Sequence, residues 1–141
     1  MRTPITAAAL LCTSLACLTA CSPEGLDDYS SQPLPGVIKS FAERAQQAGK
    51  PGLLVVSDTD WCRTCRTYHN DTLDRPETQE ALSAVVVYEA IDYDDNKKDV
   101  QAFEVGPVPT TFLFIDGRAV AHFTGAKSTD ELLAWINEHD G

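Results

Sequence analysis

Two hydrophobic periods run along the chain. Val37, Ile38, Phe41, Ala42 and Ala45 recur at helical spacing, and Gly49-Lys50-Pro51-Gly52 stops the pattern, which predicts an amphipathic helix. Leu53-Leu54-Val55-Val56 is an apolar run bounded by Gly52 and Ser57-Asp58, the pattern of a buried central strand. Cys62 to about Asn70 reads as helix, and Pro76 to Leu82 as its bent or restarted continuation. The β-branched stretch from Ala84 to Ile91 predicts a second strand. Asp94 to Phe103 is polar and helix-compatible, with Val100 and Phe103 facing inward. Thr110–Ile115 and Ala119–Phe123 flank Asp116-Gly117, the dipeptide of a tight hairpin. Ser128 with Glu131 fits a capping box opening a last helix, whose apolar positions are Leu132, Leu133, Trp135 and Ile136. Phe103, Phe123 and Trp135 read as core, whereas Trp61 reads as a partly exposed contact surface. The order αβαβαββα describes an α/β fold with a four-stranded mixed sheet between helices.

Composition narrows the function. Across 141 residues, 11 Lys and Arg face 21 Asp and Glu, a formal charge of −10. Phosphate binding needs clustered Lys and Arg, so nucleic acid and acidic substrates are disfavoured. The acidic surface predicts partners with basic or neutral faces. No apolar run long enough to span a bilayer follows the N-terminal region.

That region reads as a secretory signal over 1–20: Met1-Arg2 precedes an uncharged Ala- and Leu-rich stretch from Ile5 to Ala20, and no acid occurs before Glu24. Its end, Leu18-Thr19-Ala20-Cys21, resembles the lipobox of bacterial lipoproteins. The resemblance implies that Cys21 is lipidated, with several acyl chains holding the mature protein on a membrane. Ser22 at the next position implies an outer-membrane rather than an inner-membrane address. An ordinary cleaved signal with an incidental Cys is the alternative. Residues 22–36, rich in Pro, Gly, Ser and acids, read as a solvated tether leading to a domain over 37–141.

Of five cysteines, Cys12 and Cys17 would leave with the signal and Cys21 would carry lipid. Cys62 and Cys65 remain as a lone C-x-x-C pair. The pair follows a predicted strand and opens a predicted helix. In the first helical turn, free N–H groups favour a thiolate, so Cys62 is expected below the usual thiol value of about 8.5. Cys65, one turn on, is within reach of a disulfide. Cys62 is therefore the candidate attacking sulfur and Cys65 the candidate resolving one. An inert bridge in an oxidising compartment and half of a zinc site stay open as alternatives. Cys65-Arg66 is incompatible with C-x-x-C-H haem attachment. His69 could extend a Cys/Cys/His metal set, but reads more simply as a surface helix residue. No second C-x-x-C and no Gly-rich phosphate loop occurs, so neither a metal nor a small-molecule cofactor is expected.

Residues 53–141, with Asp60-Trp61-Cys62-Arg63-Thr64-Cys65 and Arg66-Thr67-Tyr68, resemble a thioredoxin-fold domain. The closest resemblance is to the C-terminal periplasmic domain of DsbD-type thiol reductases. Ala90-Ile91-Asp92, Gly106-Pro107-Val108-Pro109-Thr110 and Gly125 support it. The resemblance implies a cis Pro109 against the active-site sulfurs, and a Val108 backbone that pairs with an extended substrate segment. It also implies protein disulfides as substrates and a membrane thiol reductase or oxidase as redox partner. Arg63 between the cysteines should stabilise a nearby thiolate, while Asp58 and Asp60 should oppose it.

One departure stands out. Many thioredoxins carry a buried acid six residues before the first Cys. Here that position is Val56, and Tyr88 occupies the likely place of the basic residue often paired with it. Proton handling must differ. Asp58 and Asp60 are near enough in sequence to substitute through water, although acids at a strand end are more often solvated.

The leading reading is a lipid-anchored periplasmic thiol:disulfide oxidoreductase, with the reductase direction favoured. The competing class is a non-catalytic binding module, either a metal-handling thiol protein or a bridged interaction domain.

Overall fold

The computed structural model describes residues 29–140, so the predicted signal and Cys21 lie outside the described residues. Its elements are α1 (Gly36–Ala48), β1 (Gly52–Ser57), α2 (Arg63–Tyr68), α3 (Pro76–Val85), β2 (Val87–Asp92), α4 (Lys97–Ala102), β3 (Thr110–Ile115), β4 (Arg118–Thr124) and α5 (Thr129–His139). A π-helical turn, His69–Leu73, continues α2. The sheet order is β2-β1-β3-β4, with β1 parallel to β2 and antiparallel to β3, and β4 antiparallel to β3. This is the predicted four-stranded mixed sheet. Among the described residues no helix is long and apolar enough to cross a membrane.

Period-two alternation in β1 builds a core on each face of the sheet. Leu54 and Val56 join Phe112 and Phe114 of β3 beneath Ile38, Phe41 and Ala42 of α1 and Val100 and Phe103 at α4. Leu53 and Val55 join Leu113 on the other face, under Tyr68, Leu73, Leu82, Leu132, Trp135 and Ile136. Phe123 packs there too, edge-on to Trp135 at 4.7 Å. Gly52 is required by close approach: a Cβ there would lie 2.8 Å from the Phe41 ring. At the start of α1, Asp99 of α4 accepts the Val37 N–H at 2.9 Å, meeting a helix-end donor that no local cap satisfies. Ser128 caps α5 by accepting the Glu131 N–H at 3.2 Å.

Two local expectations are corrected. The second strand begins at Val87, because Ala84 and Val85 complete α3 and the first sheet bond is the Val87 N–H to Pro51 carbonyl, at 2.8 Å. The tether expectation also fails where the described residues meet it. Tyr29 is buried at 5% exposure, edge-on to Phe112, with its hydroxyl donating to the Glu104 carbonyl at 2.9 Å. An aromatic ring with a satisfied hydroxyl gains more in a core than in solvent, so the chain is docked before α1 begins.

Candidate functional site

The site forms where β1 ends and the chain must turn into α2. Past Val56 the strand continues into polar residues that stay inside. Ser57 accepts the Tyr93 N–H through its carbonyl at 2.8 Å, and the Asp58 carbonyl accepts the Cys62 N–H at 3.1 Å. Oδ1 of Asp58 accepts the Asp60 N–H at 3.0 Å, an Asx turn that sets up the approach to the cysteines. Arg66, one turn into α2, donates to the Thr59 carbonyl at 3.0 Å and to the Asp60 carbonyl at 3.3 Å, bracing the loop from outside.

Cys62 is the N-cap of α2, and its sulfur accepts the Cys65 N–H at 3.1 Å. The two cysteines form a disulfide with their Cα atoms 5.2 Å apart. Their exposure differs: Cys62 retains 8% and Cys65 none. The outer sulfur is thus the one an incoming thiol or disulfide can reach, and the helix turn covers the inner one. Arg63 and Thr64 lie between them on the exposed side of the turn.

Across from the disulfide, the Val108–Pro109 peptide bond is cis, and the Val108 carbonyl oxygen lies 3.8 Å from the Cys62 sulfur. Pro109 is buried, and its carbonyl accepts the Gly125 N–H at 2.8 Å. Gly125 sits at φ +100°, a conformation that L side chains rarely adopt, so glycine is needed there for the bond that steadies the proline loop. Thr110, also buried, donates to the Pro107 carbonyl and pairs with Thr124 of β4 at 3.1 Å. Three separated stretches, around Cys62, Val108-Pro109 and Gly125, therefore converge on one end of the sheet.

Trp61 is 57% exposed and forms the rim of the site. Its indole N–H donates to Asp94 Oδ2 at 3.2 Å, and its ring stands edge-on to Tyr93 at 6.4 Å. The exposed ring is therefore held by the turn after β2. Sequence reasoning missed Tyr93 and Asp94; an aromatic followed by acids right after a strand end was the available signal.

Two expectations about polar residues are overturned. Asp58 is not solvated: it is 1% exposed, and its Oδ2 has no hydrogen-bond partner. The loop carries its side chain inward because its main chain is already committed to Cys62. His69 is not a simple surface residue. It is partly buried at the start of the π-helical turn, with Nε2 at 2.8 Å from Ser57 Oγ and Nδ1 at 3.3 Å from Asp74. Behind α2, Tyr68 is buried and its hydroxyl pairs with Thr111 at 3.2 Å. Burial pushes its phenol up to about 12, and the bond to Thr111 only partly offsets that. Tyr88, whose hydroxyl is buried without a hydrogen-bond partner, is pushed up further by desolvation. Val56 is fully buried among apolar side chains, so the strand interior offers no titratable group.

Comparison with known proteins agrees with this geometry. A family model described as a thioredoxin-like domain matches residues 38–140. Thioredoxin of Chlamydia pneumoniae is 34% identical over 89 residues, which cover 62% of this chain and 83% of that protein. Thioredoxin of Mycobacterium tuberculosis is 31% identical over 99 residues, 70% of this chain and 82% of that protein. The crystal structure of thioredoxin NaTrxh from Nicotiana alata superposes with a TM-score of 0.57 at 26% identity, covering 70% of this chain and 80% of that one. With its paired Cys62 and Cys65 set against a cis-proline loop, the chain belongs to the thioredoxin-like domain family and is a thiol:disulfide oxidoreductase.

Proposed function

We propose that this chain is a lipid-anchored thiol:disulfide reductase of the bacterial cell envelope, facing the periplasm from the outer membrane, with protein disulfides as its substrates. Cys62 is the nucleophile. Its thiolate attacks a substrate disulfide, forming a mixed disulfide and releasing the first substrate thiol. Cys65 then attacks Cys62, expels the second substrate thiol and closes the enzyme disulfide. The observation that carries this reading is the asymmetry of the pair: the outer sulfur is partly exposed, accepts the Cys65 N–H and lies beside the Val108 carbonyl, whereas the inner sulfur is fully covered.

The remaining site residues take supporting roles. The Val108 main chain, next to the reacting sulfur, pairs with an extended substrate segment as a short strand addition, and Pro109 fixes that edge. Trp61, clamped by Tyr93 and Asp94, offers a rigid aromatic face to the substrate, and Arg63 and Thr64 line the exposed turn. Arg63 also favours the Cys62 thiolate by its charge. The reductase direction rests on the resemblance to DsbD-type reductant domains and requires a membrane thiol reductase to restore the dithiol. Lipid anchoring rests on Leu18-Thr19-Ala20-Cys21, and the outer-membrane address on Ser22. Tyr29 packs into the core ahead of α1.

The test is trapping. Cys65→Ser, expressed as the full chain, should accumulate mixed disulfides with other proteins through Cys62, and Cys62→Ser should accumulate none. Equal behaviour of the two variants, with no trapped partner, would reduce the disulfide to a structural staple. In the same cells, Cys21→Ala should move the protein from the membrane to the soluble fraction; unchanged fractionation would contradict the anchor.

A further inference from the structure

The loop that carries Val108 and Pro109 leaves the end of α4 at Phe103 and Glu104 and enters β3, where Phe112 is the first aromatic. Its exit is held close by: Gly125 donates to the Pro109 carbonyl, and Thr110 is tied to Pro107 and Thr124. Its entry starts from a strained residue. Glu104 sits at φ +58°, in the left-handed region that a residue with a side chain keeps only where its surroundings hold it. Locally, the Glu104 N–H donates to the Gln101 carbonyl at 3.0 Å and the Val105 N–H to the Val100 carbonyl at 3.2 Å. A further hold comes from the other end of the sequence. The Tyr29 hydroxyl donates to the Glu104 carbonyl at 2.9 Å, and Gln32 Nε2 lies 3.5 Å from Glu104 Oε2. The Tyr29 ring lies 5.0 Å from Phe103, 4.9 Å from Phe112 and 4.9 Å from His122, which aligns with Phe112 across β3 and β4. One side chain thus touches residues on both sides of the proline loop, and Val105 and Val108 within the loop pack against the same core cluster. A plain phenyl ring would fill that core as well. The hydroxyl bond to a main-chain carbonyl at a left-handed residue is what packing alone does not call for.

We propose that Tyr29 is a positioning residue for substrate recognition: by bridging Glu104 and Phe112 it fixes the course of the proline loop, and so the place of the Val108 main chain beside Cys62. The inference rests on the reading that Val108 pairs with an extended substrate segment, and it adds what holds that edge in place. Without the brace the loop takes several courses. A substrate strand must then select the one that pairs, which weakens its apparent affinity by the fraction of the time that course is populated. The cysteines are framed separately, by the turn from β1 into α2. There the Asp58 carbonyl accepts the Cys62 N–H, and Arg66 donates to the Thr59 and Asp60 carbonyls. Tyr29 therefore governs the binding of peptide disulfides and leaves the sulfur chemistry to the other loop. A disulfide without a peptide backbone forms no strand pairing and reads that chemistry by itself.

Two substrates separate these roles in the purified full chain. Insulin, turned over with dithiothreitol as reductant, is the protein disulfide; dithiobisnitrobenzoate, mixed with pre-reduced protein in a single turnover, is the disulfide without a backbone. Tyr29→Ala should raise KM for insulin about tenfold with kcat within about twofold of the parent. Its rate with dithiobisnitrobenzoate should stay within about twofold, and hydrogen exchange at the Val105 amide should run about tenfold faster. Tyr29→Phe keeps the ring and loses the bond to Glu104, so KM for insulin should rise about threefold. Phe41→Leu is the control for a weakened core, because Phe41 belongs to the same cluster but sits on Phe114, further along β3. It should lower thermal stability and leave KM for insulin within about twofold. Should Tyr29→Ala fail to fold, the Tyr29→Phe result decides. An unchanged KM in the folded Tyr29 variants, an equal rise in Phe41→Leu, or a parallel loss with dithiobisnitrobenzoate would each overturn the assignment. A parent that reacts with dithiobisnitrobenzoate but never with insulin would instead sink the strand-pairing reading, and the inference with it.

Discussion

The two ends of β1 are built on opposite principles. From Leu53 to Val56 every side chain is apolar and fully buried, and Gly52 lets the Phe41 ring close against the strand. From Ser57 to Cys65 exposed residues interrupt buried ones, and the buried ones, Ser57, Asp58, Cys62 and Cys65, carry a hydroxyl, a carboxylate and two sulfurs, with one carboxylate oxygen lacking a partner. The first end is what packing alone would select. At the second, the fold spends stability to hold reactive groups away from water, which is the expected mark of a working site. Exposure alone would have missed it, since Asp58 and Cys65 are as hidden as the core.

Substitutions at the two ends should therefore separate stability from chemistry. The largest loss of stability is expected at the apolar end: Leu54→Ala should cost about 2–5 kcal/mol, measured by urea unfolding, with exchange activity per folded molecule unchanged. A smaller effect comes from the alkaline limb. The Tyr68 phenol is held above its ordinary value in the folded state, so the unfolded chain ionises first as pH rises. The stability due to its burial is complete below about pH 10 and is lost from there towards about pH 12, on the order of 2–3 kcal/mol. Tyr68→Phe should flatten that limb in urea midpoints taken across this range; an unchanged limb would contradict the burial assignment. The smallest effect is expected on the surface. Breaking the Arg44–Glu89 ion pair with Arg44→Gln should change stability by less than about 1 kcal/mol and leave exchange untouched, because exposed pairs are screened.

Most of this architecture was legible because local and global preferences agree. The run Leu53–Val56, the Asp116-Gly117 turn and the Ser128 cap each predict the element that forms. The C-x-x-C at a strand-to-helix junction located the sulfurs. Errors arose where a local signal met a tertiary constraint. Ala84 and Val85 belong to a β-branched run, but they finish a helix that Pro76 starts, and the sheet register admits β2 only from Val87. Tyr29 lies in a composition typical of tethers, yet one aromatic ring next to Phe103, Phe112 and His122 outweighs its neighbours. The inward turn of Asp58 depends on a backbone bond to Cys62, which no periodicity encodes. His69 pairs with Ser57 through the winding of the turn after α2, a feature that helical spacing does not anticipate.

The central claim is that Cys62 and Cys65 form a working redox couple, and the reduction potential of that couple tests it most directly. Equilibrated against glutathione and dithiothreitol buffers, the pair should lie within the span of about −270 to −120 mV found for exchange-active proteins, at about −200 mV or below for a reductase. A pair that resists reduction to well below about −300 mV would be a structural bridge, and the catalytic account would fall.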